Sequence, residues 1–256
     1  MTHKTWIIPL LILTLTSACQ TATQTALPTS TLQPAQGGAS SATPSPKLTT
    51  APSSPPATAA PTATVTLPPA PRDFTEDFNG ATPYWTVQQI DNGNPFTGPS
   101  EEAGFLVFDL NAPNQWVYDF YNVEDYQDVR VDAQVEVRAG DAATGVLCRY
   151  SDNGWYEFSI YSDQTYMILF GQWVSSGVAK FTPLFHGGSE KIQSGANQIG
   201  LTCSGDILTP YINGVQMRKW EETKFNLTKG GIGISVAAFD KAPATAAFDW
   251  VKVSQP

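Results

Sequence analysis

The sequence predicts an all-β domain, built as a two-sheet sandwich or a barrel, standing behind a disordered tether. Three observations predict it. Composition changes abruptly at Arg72, apolar residues beyond that point recur at every second position in short runs, and no segment has convincing helical periodicity.

The chain opens with His3 and Lys4, a short polar start, followed over residues 6–15 by an apolar stretch too short to span a bilayer comfortably. Then comes Leu15-Thr16-Ser17-Ala18-Cys19, small residues directly ahead of a cysteine. This resembles the lipobox of bacterial lipoproteins, with Thr16 where Leu is commoner. The resemblance implies that residues 1–18 are a signal peptide and that Cys19 receives diacylglycerol and becomes the new N-terminus. The alternative is an ordinary signal peptide cut after Ala18. Each buried CH₂ of an acyl chain contributes about 0.8 kcal/mol, so several chains would hold the protein on the bacterial cell surface, its domain outside the cytoplasm.

Cysteine usage is consistent with that reading. Of Cys19, Cys148 and Cys203, lipidation removes the first and leaves an even pair for an oxidising compartment. A Cys148–Cys203 bridge would close a loop of about 55 residues and stabilise the fold by roughly 4 kcal/mol on the chain-entropy account. Two separate buried thiols are the alternative.

Residues 19–71 form the tether. They are mostly Thr, Pro, Ala and Ser with no aromatic residue, and Lys47 is their one charge. Such a stretch cannot bury enough apolar surface to offset its chain entropy. Its proline-rich runs favour extended conformations and can carry O-linked glycans, and at about 3 Å per residue the reach is on the order of 150 Å.

Residues 72–256 carry all 23 acids and 12 of the 14 bases, a net charge of −11, which repels phosphate backbones and argues against nucleic acid as a partner. This length suffices for one core. Residues 129–137 alternate cleanly; runs at 145–150, 155–161, 166–170, 198–203, 207–212, 215–220, 231–238 and 246–253 continue the pattern. Asn153-Gly154 and Asn213-Gly214 mark tight hairpins. The first strand, 74–78, is expected to pair with the last.

The opening Glu76-Asp77-Phe78-Asn79-Gly80 with Trp85, and the closing Phe248-Asp249-Trp250-Val251-Lys252-Val253, resemble the two ends of concanavalin A-like lectin/glucanase domains. The order of the middle strands is similar to that of 3-keto-glycoside hydrolase-like and laminin-G-like modules. The resemblance implies a two-sheet antiparallel jelly-roll sandwich. It also implies a structural Ca²⁺ between first and last strands, with Asp249 and Glu76 as ligands. Ordinary surface acids are the alternative, since calcium takes six to eight oxygens.

Catalytic patterns are scarce. Family-16 glucanases of this fold carry Glu-x-Asp-x-x-Glu on one strand, a spacing absent here; Asp132 and Glu136 are the nearest acids and read as a solvated face. His186, the only histidine of the folded part, reads as a loop residue, and no nucleophile elbow or metal-binding cysteine pair is present. Aromatic rings are plentiful, and sugar C–H faces stack on Trp and Tyr while Arg and carboxylates meet the hydroxyls. Trp116, Tyr118, Trp155, Glu157 and Arg149 are therefore the candidate ligand contacts. Alternation places Cys148 and Tyr150 on one side of their strand and Arg149 on the other. The expected function is binding of carbohydrate or a glycosylated envelope polymer without catalysis. A glycoside hydrolase of the 3-keto-glycoside type and a protein-binding adhesion module are the rivals. Membrane contact is expected only through the lipid.

Overall fold

A computed structural model describes residues 67–90 and 93–256. Signal peptide, Cys19 and nearly all of the tether lie outside the described residues. Sixteen strands are found among those residues, in two antiparallel sheets, and the two-sheet sandwich is as expected. They run β1 (Phe74–Glu76), β2 (Trp85–Ile90), β3 (Ser100–Glu102), β4 (Phe105–Leu110), β5 (Gln115–Tyr126), β6 (Val129–Ala139), β7 (Ala142–Ser151) and β8 (Gly154–Ile160). They continue as β9 (Thr165–Ser175), β10 (Val178–Gly188), β11 (Asn197–Ser204), β12 (Ile207–Ile212), β13 (Val215–Gln216), β14 (Trp220–Glu221), β15 (Gly230–Ala238) and β16 (Ala244–Ser254). The nine-stranded sheet is ordered β13-β12-β11-β6-β16-β4-β3, with β1 on β16 and β14 on β12; the seven-stranded sheet is β10-β9-β8-β7-β15-β5-β2.

The first and last strands do pair, Phe74 opposite Val253 and Glu76 opposite Val251. Alternation supplies the core between the sheets. Val129, Val131, Ala133 and Val135 of β6 and Ile199 and Leu201 of β11 face Val146 of β7, Phe158 of β8 and Ile234 of β15. Cys148 and Cys203 point into the same core and are bridged, stapling β7 to β11 across the sandwich. A register shift between Phe248 and Trp250 changes the phase of β16: Ala246 and Phe248, then Val251 and Val253, face inward, and Trp250 turns out.

Three expectations are corrected. His186 lies not in a loop but on β10, exposed and paired with Met167. Residues 215–220 are two short strands rather than one. Asp132 is nearly buried, its carboxylate held by Arg130 at 2.7 and 2.9 Å, so it belongs to no freely solvated face.

The chain enters the domain over a row of tyrosines. Tyr84 donates to the Pro68 carbonyl at 2.5 Å, Tyr121 to that of Pro71, and Tyr126 to that of Arg72 at 2.7 Å.

Candidate functional site: the outer face of the seven-stranded sheet

Period-two alternation that sends Val117, Phe158 and Ile234 inward sends their neighbours to the opposite face of the sheet. There Tyr118 and Phe120 of β5, Leu147 of β7 and Trp155 of β8 form a second, separate apolar cluster, with Ile90, Tyr150, Trp173 and Phe181 packed around it. The sheet curls over this face. Five strand spacings separate β5 from β10, about 24 Å if flat, yet the Trp116 and Phe181 ring centroids are 4.2 Å apart. Gly171, opposite Trp155, permits the bend, since a Cβ there would lie 2.3 Å from the indole. Beyond it the β9–β10 hairpin brings Trp173 to 5.1 Å from Trp155 and Phe181 to 6.1 Å.

Glu157 lies at the centre of this face and is 5 % exposed. Its Oε2 accepts from the Tyr118 hydroxyl at 3.0 Å and the Trp155 indole N–H at 3.3 Å; its Oε1 accepts from Ser159 at 2.7 Å and Ser235 at 2.6 Å. Gly145 leaves room for the network, because a Cβ there would meet both serine hydroxyls. All four donors are neutral. A buried carboxylate held this way needs no counter-ion close by, as hydrogen bonds carry the desolvation cost. Burial, reinforced by the Glu157 charge, pushes the Tyr118 phenol well above its usual pKa, so it stays a donor. None of these four contacts comes from a second acid or a histidine, so they supply no acid–base pair.

Of the residues singled out from sequence, Trp155 and Tyr118 are 0 and 1 % exposed and form the floor of the face. Trp116 is half-buried between Phe181 and Phe239. Arg149 is a correction: it does not project from this face. A register shift between Cys148 and Ser151 and a left-handed backbone at Arg149 (φ 56°) swing its side chain to the end of the sandwich. Its guanidinium donates there to the carbonyls of Gln127 at 3.0 Å, Gly205 at 2.7 Å and Leu227 at 2.7 Å, tying three connections together. The same shift corrects Tyr150, expected beside Cys148: it lands on the outer face, 3.7 Å from Phe120, stacked.

Sequence reasoning did not reach Gln88, Phe120, Trp173, Phe181, Ser159 or Ser235. A signal was available in two places: Tyr118-x-Phe120 and Trp155-x-Glu157-x-Ser159 are each spaced to share one strand face.

Glu76 and Asp249 stand on neighbouring strands. Glu76 Oε1 accepts from the Phe78 N–H at 3.3 Å. Among the described residues no group of three or more His, Cys, Asp or Glu side chains converges.

The outer face opens in a pocket of about 390 Å³ where β2 meets the β7–β8 and β9–β10 turns. Tyr150 and Trp173 present half-buried rings to it, Gln88, Ser175 and Ser176 present amide and hydroxyl groups, and Asp152 a carboxylate. The Tyr150 hydroxyl donates to Gln88 Oε1 at 3.2 Å. The Trp173 indole N–H is buried against the Tyr150 hydroxyl.

No family model matches the chain, and no curated protein sequence matches it. Solved structures are similar in fold. A Bacillus subtilis protein of unknown function with a galectin-like fold has 13 % identity, covering 71 % of this chain and 94 % of that one, at a TM-score of 0.54. A mixed-linkage glucan GH16 protein of Bacteroides ovatus, in complex with G4G4G3G product, has 10 % identity over 71 % and 99 %, at 0.51. The CBM2 module of the evolved Dit protein of Lactobacillus casei BL23 phage J-1 has 11 % identity over 71 % and 94 %, also at 0.51. At such identities the likeness shows the fold, a galectin-like or concanavalin A-like jelly roll.

Proposed function

We propose that this protein is a surface-displayed lipoprotein whose sandwich binds carbohydrate on the curled outer face of the seven-stranded sheet without turning it over. The observation that carries the reading is the pocket between Tyr150 and Trp173, which sets ring faces beside amide, hydroxyl and carboxylate groups. Pyranose C–H faces pack on such rings, and the polar groups meet the hydroxyls. Two solved structures of the same fold support it: one is the GH16 protein in complex with G4G4G3G product, the other a CBM2 module. The sequence lacks Glu-x-Asp-x-x-Glu, which favours binding over turnover.

The test is affinity electrophoresis of the full chain through gels containing soluble β-glucan, xylan, galactan or fructan, with an assay for new reducing ends. Retardation by at least one polymer without new ends is expected. Free migration through all of them, or a growing count of ends, overturns the proposal. Lipidation is tested in the native host: Cys19→Ala should release the protein from the membrane fraction.

A further inference from the structure

The outer face is curled like a groove, yet its middle is filled. Trp155, Tyr118 and Phe120 are buried to within 1 % under Trp173, Tyr150 and Phe181, and the Trp116–Phe181 contact joins opposite sides of the sheet. A polymer running along the face would have to pass through space these rings occupy. What stays open is the pocket at one margin, whose volume of about 390 Å³ falls within the roughly 300–1,000 Å³ of small-molecule sites. The rings that fill the middle of the face also back this pocket, since Tyr150 stacks on Phe120 and Trp173 packs on Trp155.

We propose, resting on the carbohydrate-binding reading, that the pocket receives the terminal ring of a glycan chain and does not bind chain interiors. Two features fit an end ring. Tyr150 and Trp173 offer one sugar a stacking surface at the margin of a face whose middle is already filled. Gln88 and Asp152 provide acceptors beside the two rings, suited to the hydroxyl that a terminal residue carries and a linked residue has lost. The β9–β10 hairpin, whose Ser175-Ser176-Gly177 turn walls the pocket, thus sets the specificity by excluding a through-running strand.

The test is calorimetric titration of the full chain with soluble β-glucan, xylan, galactan and fructan, each intact and after limited acid hydrolysis, at equal mass. For the polymer that binds, sites per gram should rise by the same factor as the number of chain ends. Sites per gram that stay constant or fall overturn the chain-end inference while leaving carbohydrate binding intact. No binding by any polymer in either form overturns both. Trp173→Ala and Gln88→Ala should each weaken binding of the hydrolysed polymer at least tenfold, and Asp152→Asn, at an exposed turn, several-fold. Trp250→Ala, on the nine-stranded sheet, should leave it unchanged. Full binding in all three pocket variants, with thermal midpoints confirming that they fold, removes the assigned site.

Discussion

Toward the sandwich interior the seven-stranded sheet presents Val117, Val146, Phe158 and Ile234; toward its outer face it presents Tyr118, Phe120, Leu147 and Trp155. Both faces are buried at their centres, and each buries a carboxylate. Glu157, outside, has four donors. Asp119, inside, is 3 % exposed and its Oδ1 has no partner. Burial, with the Glu76 charge nearby, pushes the Asp119 carboxyl up to about 7. The difference teaches that two acids at the same depth can differ in their partners, one fully hydrogen-bonded and one with an oxygen left unpartnered. It also separates two kinds of packing. The inner core is mostly aliphatic with Phe and Tyr interspersed, while the outer cluster is mostly aromatic.

The largest effect tests whether the outer cluster is a true core. Trp155→Ala and Phe158→Ala should each lower unfolding free energy in urea by about 3–5 kcal/mol. A cost for Trp155→Ala near that of an exposed residue would break the equivalence of the two faces.

Asp119 comes next. Its folded pKa lies above the unfolded value, so the native state holds the proton more tightly and stability falls as pH rises from about 4 to about 7. Asp119→Asn should remove that loss, stabilising the protein at pH 8 by up to about 4 kcal/mol and having little effect near pH 3.5. Equal effects at the two pH values would remove the contrast between the acids. Glu157→Gln keeps the shape but turns an acceptor into a donor among donors. It should cost about 1–3 kcal/mol at pH 7 by the same measurement. A smaller loss would mean the four contacts contribute little.

The least effect is expected at the rim. The Lys229–Asp125 ion pair is exposed on both sides, so Lys229→Ala should change stability by less than about 0.5 kcal/mol. A larger change would show that surface charge, and not the two buried faces, governs this fold.

How much of this was legible in the sequence depends on how many faces a strand buries. β6 has one face toward the core and alternates, so the sequence showed it; the pairing of β1 with β16 followed from architecture. β5 is buried on both faces through Phe120 and Tyr121, which erases the period, and β10 carries Pro183 and a register shift, which hides it. The site was half legible for the same reasons. Trp155 and Glu157 share the outer face because β8 is regular, but both are buried there and neither lines the pocket. Arg149 and Tyr150 were misplaced because one left-handed residue inverts the alternation after Cys148. Trp173 and Gln88 lie on strand segments whose pattern gave no warning.

The tyrosine row at the entrance has a mechanical consequence. A load arriving along the chain from residue 67 meets the hydroxyls of Tyr84, Tyr121 and Tyr126, then three-residue β1, before it reaches the layers stapled by Cys148–Cys203. The weakest link under tension is therefore a short strip at the border. Its rupture would free that strip and leave the seven-stranded sheet intact.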